Sequence, residues 1–94
     1  MLQTQNIIIY EEFNNKVKVA SLIFDQPEQW EILVIANNKT VSFLEMFETL
    51  RQKFRKMSEV SLRKMLKELK SKYLLYFDEN FDKIVSVIDT DCVL

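Results

Sequence analysis

The sequence predicts an α+β protein of the winged helix-turn-helix kind: an N-terminal β-hairpin, three helices and a C-terminal β-hairpin. Two observations predict it. β-Branched and aromatic residues gather near both ends of the chain, and between them capping residues stand ahead of three apolar-periodic stretches. Ninety-four residues hold one modest core, so residues 1–94 form a single domain.

The elements follow in order. Asn6–Phe24 reads NIIIYEEFNNKVKVASLIF. Ile7, Ile9 and Phe13 face Val17, Val19 and Ile23 across Asn14-Asn15, and Asn tolerates the left-handed backbone of a tight turn. Two antiparallel strands over 6–13 and 16–24 are expected. Asp25–Glu28 then reads DQPE, with Asp25 as cap, Pro27 in the first turn and Glu28 as capping-box partner. That helix carries Trp30, Leu33 and Val34 and stops at Asn37-Asn38. Ser42 and Glu45 form a second capping box, ahead of Phe43, Phe47, Leu50 and Phe54 on one apolar face. Ser58 or Ser61 opens the third helix, with a face of Leu62, Met65, Leu66, Leu69 and Tyr73. YLLYFDENFDKIVSVID reads as strand, Asp-Glu-Asn turn, strand.

Composition narrows the function. The chain contains no histidine and no glycine. It therefore lacks the commonest general base and metal ligand, and it has no glycine-rich phosphate loop. No constellation of catalytic or metal-binding residues is visible, so a non-enzymatic binding protein without cofactor is expected. Cys92 is the single cysteine and excludes an internal disulfide, which fits a reducing cytoplasm. Apolar runs are short, Ile32–Ala36 among the longest, and MLQTQN does not resemble a secretion signal. A cytoplasmic protein away from the membrane is expected. Trp30, Phe43, Phe47 and Phe54 are read as packing residues, and Met46, Met57 and Met65 as core gap-fillers.

Charge carries the sharpest signal. Residues 1–50 hold three basic and seven acidic side chains, residues 51–72 nine and two, and residues 73–94 one and five. A basic centre thus lies between acidic flanks, inside a net charge of −1. On the third helix Arg63, Lys67 and Lys70 follow one border of the apolar face, with Glu68 on the other side; Arg51 and Arg55 take the matching border of the second helix. Such a row is a solvated face, a phosphate contact or a wall for an acidic peptide. A regulator would insert the start of the third helix into the major groove. Against that, the hairpin tip holds Asp78, Glu79 and Asp82 with Lys83 alone, and carboxylates beside phosphates repel. A peptide could instead add to a free strand edge next to the third helix. A structural subunit of a larger complex is a third reading.

IIIYEEFNNKVKVASLIF, then DQPEQWEILVIANNKTVSFLEMFETLRQKF, then SEVSLRKMLKELKSKYLL, resembles the PqqD-like proteins, or RiPP recognition elements, over about residues 6–77. The resemblance implies a three-helix winged-helix core preceded by strands. It implies that the leader of a ribosomally made precursor docks as an added strand between sheet and third helix, and is presented to a modifying enzyme, often a radical-SAM enzyme. On that basis Lys18, Ala20 and Leu22 alternate on the docking strand, and Arg63, Lys67 and Lys70 select an acidic leader. Nucleic acid is a partner only if the chain is a winged-helix transcriptional regulator instead.

Overall fold

The computed structural model describes residues 20–93, which form a small α+β unit. The expected strand 6–13 and residues 16–19 of the expected strand 16–24 lie outside the described residues. Where the second strand should end, residues 20–25 are helical. That corrects the expectation, and the cause is burial. Ala-Ser-Leu-Ile-Phe-Asp contains only one β-branched residue, and the helical turn sends Leu22 into the core while Phe24 stays 84 % exposed.

The helix α1, Pro27–Ile35, follows almost without a break. Its cap is Gln26, not Asp25, and no side chain caps it. Asp25 is committed to the preceding turn, where Ser21 Oγ lies 3.5 Å from its Oδ2. Gln26 itself closes that turn by donating its N–H to the Leu22 carbonyl at 2.9 Å. Pro27 occupies the first turn of α1, as expected. Ile32, Leu33 and Ala36 are buried, and Trp30 packs half-buried against them. The chain then turns at Asn38, whose φ of 57° is a left-handed value that asparagine accepts at low cost.

Val41 next pairs with Ile84 by two backbone bonds of 2.8 Å, N–H to carbonyl in each direction. The helix α2, Phe43–Lys53, starts at Ser42, whose Oγ accepts the Glu45 N–H at 3.2 Å. Its buried centre is Met46 and Leu50, with Phe43, Phe47 and Phe54 only partly covered. The phenylalanines are therefore the shoulders of this face. The helix α3, Glu59–Ser71, is capped by Ser58, whose Oγ accepts the Ser61 N–H at 3.1 Å. Leu62, Leu66 and Leu69 are fully buried. Burying a leucine contributes roughly 1.5–3 kcal/mol, so this stripe dominates the packing of α3.

Tyr73 leaves the face it was expected to share. The helix ends at Ser71; Tyr73 adopts φ 61° and is 79 % exposed. Its N–H reaches the Lys70 carbonyl at 3.0 Å while the Leu74 N–H reaches the Leu69 carbonyl at 3.1 Å. This pair of bonds is the left-handed helix stop that glycine usually makes. A chain without glycine places a tyrosine there, and the buried Leu74 and Leu69 hold the stop closed.

The strands β1, Leu75–Tyr76, and β2, Val85–Ser86, form the expected antiparallel hairpin, with Leu75 opposite Ser86 and Tyr76 opposite Val85. A short helix α4, Thr90–Val93, follows; the Thr90 N–H donates to Asn37 Oδ1 at 3.3 Å. One buried polar side chain joins α1 to α3. Gln29, 1 % exposed, donates its Nε2 hydrogen to Glu68 Oε2 at 2.7 Å, and its Oε1 is buried with no partner.

Two substitutions separate these contributions. Leu66→Ala should lower unfolding free energy by about 2–5 kcal/mol in denaturant titration. Tyr73→Gly should leave it within about 1 kcal/mol of the parent, or raise it, because the left-handed strain disappears.

Candidate functional site

The leucine stripe turns the other flank of α3 outward, and that flank carries the basic row. Arg63, Lys64, Lys67 and Lys70 are all exposed. Each end of the row is anchored. The Arg63 guanidinium lies 4.8 Å from the centre of the Phe43 ring and 3.6 Å from a Glu59 carboxylate oxygen. The Lys70 ammonium lies 4.5 Å from the Phe77 ring and 5.6 Å from the Tyr76 ring, and donates to the Phe77 carbonyl at 3.3 Å. Lys67, between them, has no ion pair or side-chain hydrogen bond among the described residues. Exposed cation–ring contacts and one-turn ion pairs each contribute well under about 1 kcal/mol. They orient the two end charges without neutralising them.

Beneath the cations runs a row of rings. Phe47 stacks on Phe43 at 6.3 Å, Phe43 meets the edge of Phe81 at 6.1 Å, and Phe81 stacks on Phe77 at 4.7 Å. Arg51 lies over Phe47 at 5.5 Å, which extends the row onto α2 as expected for that residue. Arg55 lines an open cleft with Arg51, Phe47 and Glu59, and also borders a cleft of about 440 Å³ floored by Phe54, Met57 and Met65.

Phe81 also determines where the hairpin tip goes. Its backbone is left-handed, φ 56°, and its ring is tucked between Phe77 and Phe43. The tip is therefore folded back on the hairpin and against α2. Asp78 holds the turn: its Oδ1 accepts the N–H of Asp82 at 2.6 Å and of Lys83 at 3.3 Å. These bonds, the Asp82 N–H foremost, hold its carboxyl below the ordinary value of 3.8. Glu79 and Asp82 remain exposed acids beside the ring row.

The candidate docking residues divide. Lys18 lies outside the described residues. Ala20 and Leu22 are in the helical turn 20–25 and not in a strand; Ala20 is exposed and Leu22 is core. Two residues apart on a helix, they point about 200° from each other and share no face. Arg63, Lys67 and Lys70 do share one. The described sheet offers no free edge for an added strand. On the β2 side, Ile84 is bonded to Val41, and the Ser86 N–H donates to the Ala36 carbonyl at 3.1 Å. The Val87 N–H bond to the Leu74 carbonyl makes Leu75 and Phe77 the residues that face away from β2. Leu75 is 2 % exposed, and the Phe77 carbonyl is taken by Lys70.

Sequence reasoning missed Gln29 and Phe81. Glutamine inside an apolar helix gives no sign that it is buried, and the periodicity placed Glu68 away from the basic row without naming a partner for it. Phe81 follows an acidic turn and carried no periodic signal. Among the described residues no group of acidic or cysteine side chains is placed to hold a metal ion, and no helix is long and apolar enough to cross a membrane. No family model matches the chain, and no curated protein or solved structure matches it either.

The Asp78 turn has a pH signature. A carboxyl lowered in the folded state stabilises at and above its unfolded value and loses that contribution as pH falls through the folded one. The Asp82 and Lys83 amide resonances should move on acidification with a midpoint below pH 3.8. A midpoint at or above that value would remove the two bonds from the account.

Proposed function

We propose that the chain is a non-catalytic winged-helix protein that holds an acidic polypeptide segment against α3 and presents it to a partner enzyme. The element order favours this fold family: α1, the Val41 pairing, α2, a short turn, α3, then the hairpin. The resemblance to RiPP recognition elements makes the segment a precursor leader. It makes the recipient a modifying enzyme, of radical-SAM type, in the cytoplasm.

One observation carries the choice of a peptide over nucleic acid. The cations Arg63, Lys67 and Lys70 stand near a hairpin tip whose exposed charges, Glu79 and Asp82 against Lys83, are negative on balance. A phosphate backbone laid along α3 would meet those carboxylates on the same face. A peptide can place its own acids at the cations and end before the tip. Its apolar side chains would rest on the half-buried Phe43 and Phe47 rings.

The docking mode differs from the one the family implies. With the described strand edges closed, affinity comes from side chains and not from main-chain pairing. Lys67 is the cation that gains most, because it has no partner to give up. Ordering a flexible segment leaves a net affinity of roughly 8–10 kcal/mol, micromolar to tens of nanomolar.

A DNA-binding regulator is the second reading, favoured by the succession of α2, a short turn and α3. Salt separates the two. About six phosphate contacts would lose on the order of a thousandfold in affinity between 50 and 200 mM salt. Calorimetry with an acidic peptide should show a much shallower dependence, and Arg63→Glu with Lys67→Glu should weaken it more than about tenfold. An unchanged titration curve for that double variant would defeat the peptide reading.

A further inference from the structure

The acidic tip is more than an obstacle to phosphate. The Phe77–Phe81–Phe43 ring contacts, at 4.7 and 6.1 Å, fix the tip and the α3 cations on one continuous surface. Arg63 sits over Phe43 at one end of that ring series, and Lys70 over Phe77 at the other. Asp78 is consumed inside the turn, whereas Glu79 and Asp82 are exposed. Among the described residues, Glu79 has no side-chain hydrogen bond or ion pair, and neither does the Asp82 carboxylate. The surface is therefore bipolar, with positive charge along α3 and, at the adjoining tip, two exposed carboxylates against the single exposed cation Lys83.

We infer that the occupant of this surface is a bipolar peptide, an acidic stretch joined directly to one or two Lys or Arg residues that meet Glu79 and Asp82. This inference rests on the peptide-binding reading and adds the ligand's charge order to it. The spacing is short. Arg63 and Lys70 are seven residues apart on one helix face, about 10 Å along the axis, which an extended segment of three or four residues spans. Phe81 lies between the rings under Arg63 and Lys70, so acid placed off the row on that side meets the tip carboxylates. A cation there pairs with them. Like charges brought together at a contact cost affinity, and opposite charges fix register, so the tip sets where the acidic stretch must stop.

The test uses the full chain and three synthetic peptides of equal length: an acidic block followed by two lysines, the reverse order, and the acidic block with serines in place of the lysines. Calorimetry at low salt should give one bipolar order an affinity about fivefold above the serine peptide, the size that two exposed ion pairs supply. The variant Glu79→Lys with Asp82→Lys should cancel or invert that preference. It leaves Asp78 in place, and an unchanged melting temperature reports an intact hairpin. If the variant melts early, Glu79→Gln with Asp82→Asn serves instead and should erase the preference without inverting it. Serine and bipolar peptides binding equally well, with the tip variant altering neither, would overturn the bipolar ligand and leave the peptide-binding reading standing. Binding of none of the three would overturn both.

Discussion

The stripe of Leu62, Leu66 and Leu69 fixes the rotation of α3, and the charged side chains of that helix take their places from it. Three buried leucines at helical spacing leave one orientation that keeps apolar surface from water. In it Glu68 turns toward Gln29 on α1, and Arg63, Lys67 and Lys70 turn out beside the hairpin. The cationic face is thus a by-product of packing. Altering an exposed lysine changes the face alone, whereas altering a leucine changes both.

The absence of glycine shapes the remainder. Among the described residues three turns need a left-handed residue, and the chain supplies Asn38, Tyr73 and Phe81. Asparagine accepts that conformation readily; an aromatic residue does not, and surrounding contacts must hold it there. For Tyr73 the holding contacts are the paired helix-stop bonds and the buried Leu74. For Phe81 they are the rings of Phe77 and Phe43. The second case matters more for function, since the same contacts bring the acidic tip onto the cationic face. A strained turn and the proposed binding surface share the same piece of chain.

Much of this was legible in the sequence where a local rule and the tertiary packing agree. Ser42 and Ser58 announce two helix starts, and the leucine spacing announces the core face of α3. The C-terminal hairpin follows from its β-rich flanks and acidic turn. Legibility failed where packing outweighed propensity. Residues 20–25 read as the end of a strand, and burial of Leu22 made them helical. Asp25 read as a cap, but that helical turn had already claimed it. Within the candidate site, the periodicity placed Arg63, Lys67 and Lys70 on one border correctly. It could not show that an aromatic row would tie them to the hairpin, because Phe43, Phe77 and Phe81 come from separate elements with no common period.

A net charge of −1 conceals how this surface would act. Charges of opposite sign lie side by side, and at physiological salt the screening length is about 8 Å, shorter than the thirteen-residue helix α3. A distant ligand therefore meets nearly cancelled fields and gains little steering. Discrimination arises only at contact, where each carboxylate finds a cation or a like charge. For such a surface the order of charges along a partner matters more than their total. An acidic stretch of the wrong length is then penalised even when its overall charge is favourable.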